Sequence, residues 1–178
     1  MPGRMARVAR DMIEIRNADL ERDLPVVRDL WLEYLGWGND EMEARHGFRL
    51  PVHETVEHDV ANIGKFEPPH GRILLAFDEG AAVGIACMQC IGPTVAEVKR
   101  MYVRPSSRRG GLGRALLERI IDAAVAAGYR SIRLDSPDFM GAAHALYRSS
   151  GFVDTGPYAE SEIPDAYKKH WVFMEKVL

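Results

Sequence analysis

A strand-like segment, a glycine-rich turn and a helix-like segment follow one another directly in the middle of the chain. Residues Ala96 to Arg104 alternate as a strand does, and a helix starts near Leu112. A second strand pattern, Ser131 to Asp135, comes after that helix. Two strands joined through a helix lie parallel, with a right-handed crossover. The fold must therefore contain a parallel strand pair, which excludes an all-helical or purely antiparallel architecture.

The other periodicities place this unit in a mixed sheet. A first helix ends at Gly36, Gly38 and Asn39, and the segment up to Leu50 is predicted to be irregular. The remaining predicted elements are strands at 13–16, 72–77, 82–90, 152–155 and 171–178 and helices at 51–63 and 141–150. The order β-α-α-β-β-β-α-β-α-β-β indicates the α/β class, with an α+β mixed sheet in one domain over residues 13–178. Residues 1–12 are predicted to be a disordered extension.

Composition excludes several classes of protein. The chain has 178 residues and a net charge of −3, which suits one globular domain and argues against a dedicated nucleic-acid binder. Two cysteines cannot form a disulfide framework, so a cytoplasmic setting is expected. The longest uncharged stretch, Gly80 to Ala96, is shorter than the roughly 20 residues that a membrane-spanning helix needs. No membrane association is therefore predicted.

The turn before the third helix has the chemistry of a phosphate site. Glycines let the backbone approach a ligand, and the first amide groups of a helix point outward without partners. Between Val98 and Leu117 the chain has no acidic residue, and its basic residues are Lys99, Arg100, Arg104, Arg108, Arg109 and Arg114. The segment is either a phosphate cradle or a tight turn that carries solvated arginines.

Two common phosphate motifs do not fit. A mononucleotide P-loop requires a Lys-Ser/Thr pair after Gly113, and a dinucleotide fingerprint requires Gly or Ala where Leu116 stands. The segment Arg108 to Gly113 fits [Q/R]-x-x-G-x-[G/A] instead, and resembles the pyrophosphate motif of the Gcn5-related N-acetyltransferase (GNAT) superfamily. The resemblance extends over residues 13–178 through the strand before the motif, the opening strand, and Ala143-x-x-Leu146-Tyr147-x-x-x-Gly151-Phe152.

This resemblance implies the GNAT acyl-CoA N-acyltransferase fold and acetyl-CoA as co-substrate. Backbone groups of Met101 and Val103 would meet the pantetheine arm, where their strand splays from the parallel strand at 131–135. Because these contacts use main chain, both side chains can also belong to the core. Met140 stands where the family often has an asparagine that contacts the cofactor. The implied cofactor-binding residues are Met101, Tyr102, Val103, Arg108, Arg109, Gly110, Gly111, Leu112, Gly113 and Arg114.

The resemblance also implies two catalytic residues. Tyr147 matches a tyrosine that protonates the departing thiolate, a role open to a phenol of pKa about 10; the alternative is packing beneath Phe152. Glu97 has the spacing of the family's general base. Strand alternation places Glu97 on one face with Lys99, Met101 and Val103, so we expect it to look into the cleft. The alternative is an exposed carboxylate, with ordered water as the base.

The activity implied is direct transfer of an acetyl group to a primary amine, for which we expect a small molecule. A protein amine and an acyl-CoA sensor without turnover are the alternatives, and nucleic-acid binding is a third. In the family the first two helices and their loop, here Gly36 to Leu50, build the acceptor pocket. Asp40, Glu41 and Glu43 either attract a cationic acceptor or are solvated. Trp37 and Phe48 either line the pocket or pack in the core.

No metal site is expected from the histidine and cysteine spacing. His53 and His58 are separated by five residues and diverge on a helix. Cys87 and Cys90 lack a second pair and lie on opposite faces of a strand. His144 either reaches the cleft beside Tyr147 or is packed. The apolar last segment, Trp171 to Leu178, suits either a homodimer interface or a strand that completes the sheet.

Overall fold

The computed structural model describes residues 13–178, so the extension predicted for residues 1–12 lies outside the described residues. A seven-stranded sheet has the order β1-β2-β3-β4-β5-β7-β6. Its strands are β1 (Ile13–Asn17), β2 (Arg72–Asp78), β3 (Ala81–Gly92), β4 (Val95–Val103), β5 (Ser131–Pro137), β6 (Val153–Thr155) and β7 (Trp171–Val177). The helices are α1 (Leu20–His46), α2 (Val52–Ala61), α3 (Leu112–Ala126) and α4 (Gly141–Ser149). The predicted order of elements and the α/β class are confirmed.

Helices cover both faces of the sheet. One face packs against α3 and α4 through a core that includes Leu116, Ile120, Ile132 and Met174. The other face packs against α1 and α2 through a second core that includes Trp31, Phe66, Leu75 and Ile85. Within residues 13–178, no helix is long and apolar enough to cross a membrane.

The first helix continues beyond the predicted end at Gly36, which corrects the prediction of an irregular segment up to Leu50. Gly36 and Gly38 lie within the helix, and a side chain at either position would meet nothing within 4 Å. Their low helix propensity costs about 1 kcal/mol of stability per glycine, which does not end the helix. Asn39 exchanges two hydrogen bonds with the main chain of Leu50, at 2.9 and 2.7 Å. The helix ends instead at Gly47, in the left-handed region at φ 73°.

A bulge in β4 reverses the faces of its side chains. Ile85 of β3 pairs with Tyr102, but Cys87 pairs with Lys99, so β4 has one extra residue between these pairs. Arg100, in this bulge, has φ 50°. The expected alternation of Glu97 and Lys99 with Met101 and Val103 on one face is therefore wrong. Before the bulge, the odd-numbered side chains face α1 and α2, whereas Met101 and Val103 pack on the α3 side.

The parallel pair β4 and β5 separates soon after it starts. In the part of the chain that the structure describes, the two strands pair only from Val95 to Glu97 and from Ser131 to Arg133. Beyond these residues, β3 still pairs with β4 and β7 still pairs with β5. The unpaired inner edges leave an opening that we call the β4–β5 gap.

Candidate active site

The turn between β4 and α3 exposes main-chain amide groups at one end of the β4–β5 gap. Arg109 and Gly111 both have left-handed backbone conformations, at φ 68° and 83°. Within residues 13–178, no side chain caps the start of α3 at Leu112, so its first amides remain available. A side chain at Gly110 or Gly111 would meet nothing within 4 Å. This open, amide-lined turn has the shape and the dipole that favour an anion.

The arginine at the start of the motif folds back onto the end of β4. Arg108 Nε donates a hydrogen bond of 2.9 Å to the carbonyl oxygen of Val103. Its guanidinium carbon lies 5.6 Å from the ring centre of Trp37 and 5.8 Å from that of Tyr102. Arg114 donates to the Ser149 hydroxyl at 2.8 Å. The cofactor-binding residues expected from sequence therefore lie together, around the end of β4 and the start of α3.

Tyr147 lies on α4, on the α3 side of the sheet. Its side chain is buried, and its ring packs at 5.9 Å from that of Phe152. Its hydroxyl is 4.0 Å from Met101 Sδ, so it lies beside the strand that borders the gap. Burial raises the pKa of Tyr147, which keeps the phenol protonated. Tyr147 thus packs against Phe152 and also lies beside the gap.

Glu97 is fully buried on the opposite face, which excludes the alternative of an exposed strand carboxylate. One oxygen accepts from Gln89 Nε2 at 2.7 Å, and the other accepts from the Tyr158 hydroxyl at 2.6 Å. Lys99 Nζ lies 3.7 Å away. Burial raises the pKa of Glu97, although Lys99 and the two hydrogen bonds oppose the rise. These two hydrogen bonds, one to each oxygen, hold the carboxyl group in one orientation.

Sequence reasoning missed the residues that surround Glu97. Asp135, at the end of β5, accepts from Ser161 Oγ at 2.8 Å, and its carboxylate lies 3.5 Å from the Tyr158 hydroxyl. Tyr158 and Ser161 belong to the segment between β6 and β7, which carries no regular pattern in the sequence. The signal that could have identified Asp135 is its place at the carboxyl end of a parallel strand, where ligands bind in α/β sheets.

A cavity of about 300 Å³ opens beside this network, on the α1 and α2 side of the sheet. Its walls come from α1, the start of α2, the β4 bulge, the end of β5 and residues 162–164. Polar side chains that line it include Tyr34, Lys99, Arg100, Asp135 and Glu162. Apolar lining is supplied by residues such as Leu35, Met42, Met140 and Trp171.

Most charges in this cavity are already paired. Lys99 lies 3.1 Å from Glu162, and Arg100 donates to the buried Asp59, which also accepts from Lys65 at 2.7 Å. Although burial raises it, the pKa of Glu162 is lowered to about 2 by Lys99 and Lys65. Among residues 13–178, Asp135 forms no ion pair. Its carboxylate is held by hydroxyl groups and remains available to a cation.

The acidic residues considered for an acceptor site lie on the surface of α1 instead. Asp40 and Glu43 pair with Arg49 at 2.9 and 2.5 Å, and Glu41 pairs with Arg45. Of the two aromatic residues considered with them, Trp37 packs edge-on against Phe139 and Phe48 stacks on Tyr167 at 4.1 Å. Neither ring lines the cavity.

The remaining histidines and cysteines considered from sequence are not part of this site. His144 is buried, with Nε2 3.1 Å from the Ser136 hydroxyl, which is the packed alternative. His53 and His58 are exposed on α2. Cys90 is exposed, whereas Cys87 is buried in the α1 and α2 core, and burial raises its pKa to about 12. A thiol in that state is a poor nucleophile.

Comparisons with known proteins agree with this arrangement. Residues 69–154 match the family model of the acetyltransferase (GNAT) domain. An uncharacterized N-acetyltransferase of Schizosaccharomyces pombe is 38% identical over 156 residues, which cover 86% of this chain and 90% of that protein. An IAA acetyltransferase of Azospirillum brasilense is 36% identical over 140 residues, which cover 78% and 87%.

Solved structures share the fold. An acetyltransferase from Streptococcus agalactiae superposes with a TM-score of 0.72 at 22% identity, over 94% of this chain and 99% of that one. The PaiA N-acetyltransferase of Thermoplasma acidophilum, solved in complex with coenzyme A, superposes with a TM-score of 0.70 at 19% identity, over 93% and 99%.

Proposed function

Since the chain belongs to the GNAT superfamily of N-acetyltransferases, we propose that it transfers the acetyl group of acetyl-CoA directly to the primary amine of a small molecule. The family membership rests on the S. pombe relative and on the match over residues 69–154. The acetyl donor and the size of the acceptor are the proposed parts, and each has its own support.

The β4–β5 gap and the turn before α3 support acetyl-CoA as the donor. Main-chain groups of Met101 and Val103, on the unpaired edge of β4, would hold the pantetheine arm. The amide groups of residues 109–114 and the Arg108 side chain would hold the pyrophosphate. The coenzyme A complex of PaiA, which has the same fold, also favours this donor.

The walled cavity beside Glu97 is the single observation that carries a small-molecule acceptor. Its volume of about 300 Å³ is at the lower end of the range for small-molecule sites, about 300–1,000 Å³. Asp135 has a carboxylate without an ion-pair partner among the described residues, so it binds the ammonium form of the incoming amine. Tyr34 and Met140 supply the uncharged part of the wall.

The chemistry needs no covalent enzyme intermediate. The neutral amine attacks the thioester carbonyl carbon, the C–N bond forms, and the C–S bond breaks as coenzyme A leaves. The amide groups beside Met101 stabilise the oxyanion. Tyr147, which is protonated, donates its proton to the departing thiolate. The attacking nitrogen loses its surplus proton to solvent as the amide forms, and Tyr147 regains its proton from solvent, so the step balances. The chain carries no acetyl group between substrates.

The amine loses its proton through the Glu97 network. Glu97 has a raised pKa, which suits a general base that works near neutral pH. The Tyr158 hydroxyl donates to Glu97 and lies 3.5 Å from Asp135, which lines the cavity. It therefore passes its own proton to Glu97 while it receives one from the amine. Water in the same position would perform the same relay.

The test is release of free thiol from acetyl-CoA across a panel of small amines, amino acids, polyamines and lysine peptides. A small amine turned over well above the hydrolysis background is the expected result. Asp135→Asn should raise the KM for that amine, whereas Asp165→Asn, a control at an exposed ion pair, should not. Peptides as the best substrates would overturn the small-molecule assignment. Acetyl-CoA binding with a flat panel would indicate a sensor, and salt-sensitive nucleic-acid binding that coenzyme A does not displace would exclude the donor site.

A further inference from the structure

Two histidines and an aspartate meet at one point from three distant parts of the chain. His46 ends α1, Asp138 follows β5, and His170 immediately precedes β7. His46 Nε2 is 3.0 Å from Asp138 Oδ1, and His170 Nδ1 is 3.9 Å from Asp138 Oδ2. One ligand atom from each residue lies within 4.8 Å of the other two. Each oxygen of the Asp138 carboxylate therefore lies near a different imidazole.

The surroundings of this cluster are those of a built site. The two imidazole rings stack with centres 3.9 Å apart, and Phe48 lies beside both. The His46 and His170 side chains are only 18% and 23% exposed, so their orientations are restricted. Asp138 is more open, at 39%, which leaves a path from solvent. Three ligands with an open side are the arrangement of a metal centre that retains a fourth, solvent-filled position.

We propose that His46, Asp138 and His170 form a site for a divalent transition-metal ion of the zinc class. Imidazole nitrogen suits zinc, nickel and copper, whereas magnesium and calcium prefer all-oxygen ligands. Zinc binds nitrogen and carboxylate oxygen at about 2.0–2.2 Å, so the three ligand atoms close on the ion by roughly an ångström.

The ion would act on the cavity through the segments that it joins. Asp138 follows Pro137, and His170 precedes Trp171; both Pro137 and Trp171 line the cavity. A bound ion links the end of α1, the turn after β5 and the start of β7, so it stabilises the outer wall of the cavity. This role is structural: the ion is separate from the β4–β5 gap and takes no part in acetyl transfer.

The experiment is a calorimetric titration of Zn²⁺ into the full chain, prepared without a polyhistidine tag and freed of metal with a chelator. One ion per chain should bind, and the thermal midpoint should rise with Zn²⁺ but not with Mg²⁺. His46→Ala and His170→Ala should each weaken zinc binding at least about tenfold. Co²⁺ in the same site should give the visible absorption of a low-coordinate centre, which both variants lose.

Controls separate this site from other metal-binding groups. His53→Ala removes an exposed histidine on α2, and Cys90→Ser removes the exposed thiol; both should bind Zn²⁺ as the parent does. Asp138→Asn keeps the size of the side chain and serves if a histidine variant does not fold. Absence of one-to-one binding, or equal binding by the parent and the three cluster variants, would overturn the proposal.

Discussion

The hydroxyl of Tyr158 donates a hydrogen bond of 2.6 Å to Oε1 of Glu97, although 61 residues separate the two along the chain. The segment between β6 and β7 thereby closes over the buried end of β4. It also places a second carboxylate, that of Asp135, 3.5 Å from the same hydroxyl. One phenol thus connects the buried carboxyl group with the wall of the cavity.

Tyr158→Phe should move the acidic limb of the pH–rate profile to higher pH. The Tyr158 hydrogen bond favours the ionised form of Glu97 and lowers its pKa, so its loss lets the pKa rise further. A base that must be ionised then becomes active only at higher pH. The measurement is kcat/KM for the amine against pH, together with unfolding by urea.

A second tyrosine provides the control for that experiment. Tyr129→Phe also removes a hydrogen bond of a buried phenol, which donates to the His70 carbonyl oxygen and not to Glu97. Tyr129→Phe should lose about 1 kcal/mol of stability, and Tyr158→Phe, whose partner is a carboxylate, about 1.5–3 kcal/mol. Only Tyr158→Phe should shift the profile. Equal profiles for the two variants would show that Glu97 is not the base.

Tyr147→Phe should lower kcat about 10²-fold and leave the KM for acetyl-CoA nearly unchanged, because the hydroxyl acts on the departing thiolate. The aromatic contact with Phe152 is retained, so folding should persist. Steady-state kinetics with acetyl-CoA, and with a thioester of a more acidic thiol, provide the measurement. The defect should shrink with the more acidic thiol. An unchanged kcat would restrict Tyr147 to packing.

Alanine substitutions in the glycine turn should differ in their cost to stability. Gly111→Ala places a side chain at φ 83° and should cost about 1–2 kcal/mol, while Gly110→Ala, without a positive φ, should cost less. Gly113→Ala adds a methyl group 3.5 Å from Leu146 and 3.8 Å from Met101, an ordinary contact inside a helix. We expect its stability to be retained.

Acetyl-CoA affinity should fall only where the pattern requires glycine. The pattern [Q/R]-x-x-G-x-[G/A] accepts alanine in place of Gly113 but not in place of Gly111, so we expect Gly113→Ala to keep its affinity and Gly111→Ala to bind at least about tenfold more weakly, equivalent to about 1.4 kcal/mol. Titration calorimetry and thermal denaturation of the three variants measure the two quantities. Full affinity in Gly111→Ala would place the pyrophosphate elsewhere.

Asp59→Asn should destabilise the protein by about 3–5 kcal/mol, because it leaves buried Arg100 without its carboxylate. Glu57→Gln on the same helix removes an exposed pair with Arg28 and should cost less than about 1 kcal/mol. Urea unfolding of both variants checks the difference. Similar losses of unfolding free energy in the two variants would mean that solvent hydrates the Arg100 guanidinium once its carboxylate partner is gone.

The elements with local signals could be predicted from sequence. The turn at residues 108–113 could be predicted because glycines, arginines and the start of a helix are neighbours in the chain. The same holds for the order of strands and helices. The bulge could not be predicted, since Arg100 adopts φ 50° without being glycine and its neighbours still alternate. The true end of α1 could not be predicted because Asn39 is held by hydrogen bonds with the main chain of Leu50, which form only in the folded chain.

The site on the α1 side was beyond sequence reasoning for a related cause. Asp135, Tyr158 and Glu162 meet Glu97 and Lys99 only through the sheet order, which places β7 beside β5. The cluster of His46, Asp138 and His170 also lacks any sequence spacing, since 92 residues separate the first two. The expectation of no metal site was drawn from residues close in sequence, and the proposed site lies elsewhere.

The extra residue in β4 changes the sheet face on which its odd-numbered side chains lie. Upstream of Arg100 these side chains lie on the side of the cavity, whereas downstream Met101 and Val103 lie on the α3 side. Under the proposed function, a mutation at Glu162 therefore changes amine preference from the face opposite Met101 and Val103. Divergence in this lineage, and laboratory evolution toward a new amine, can proceed on one side of the sheet while the other remains as it is.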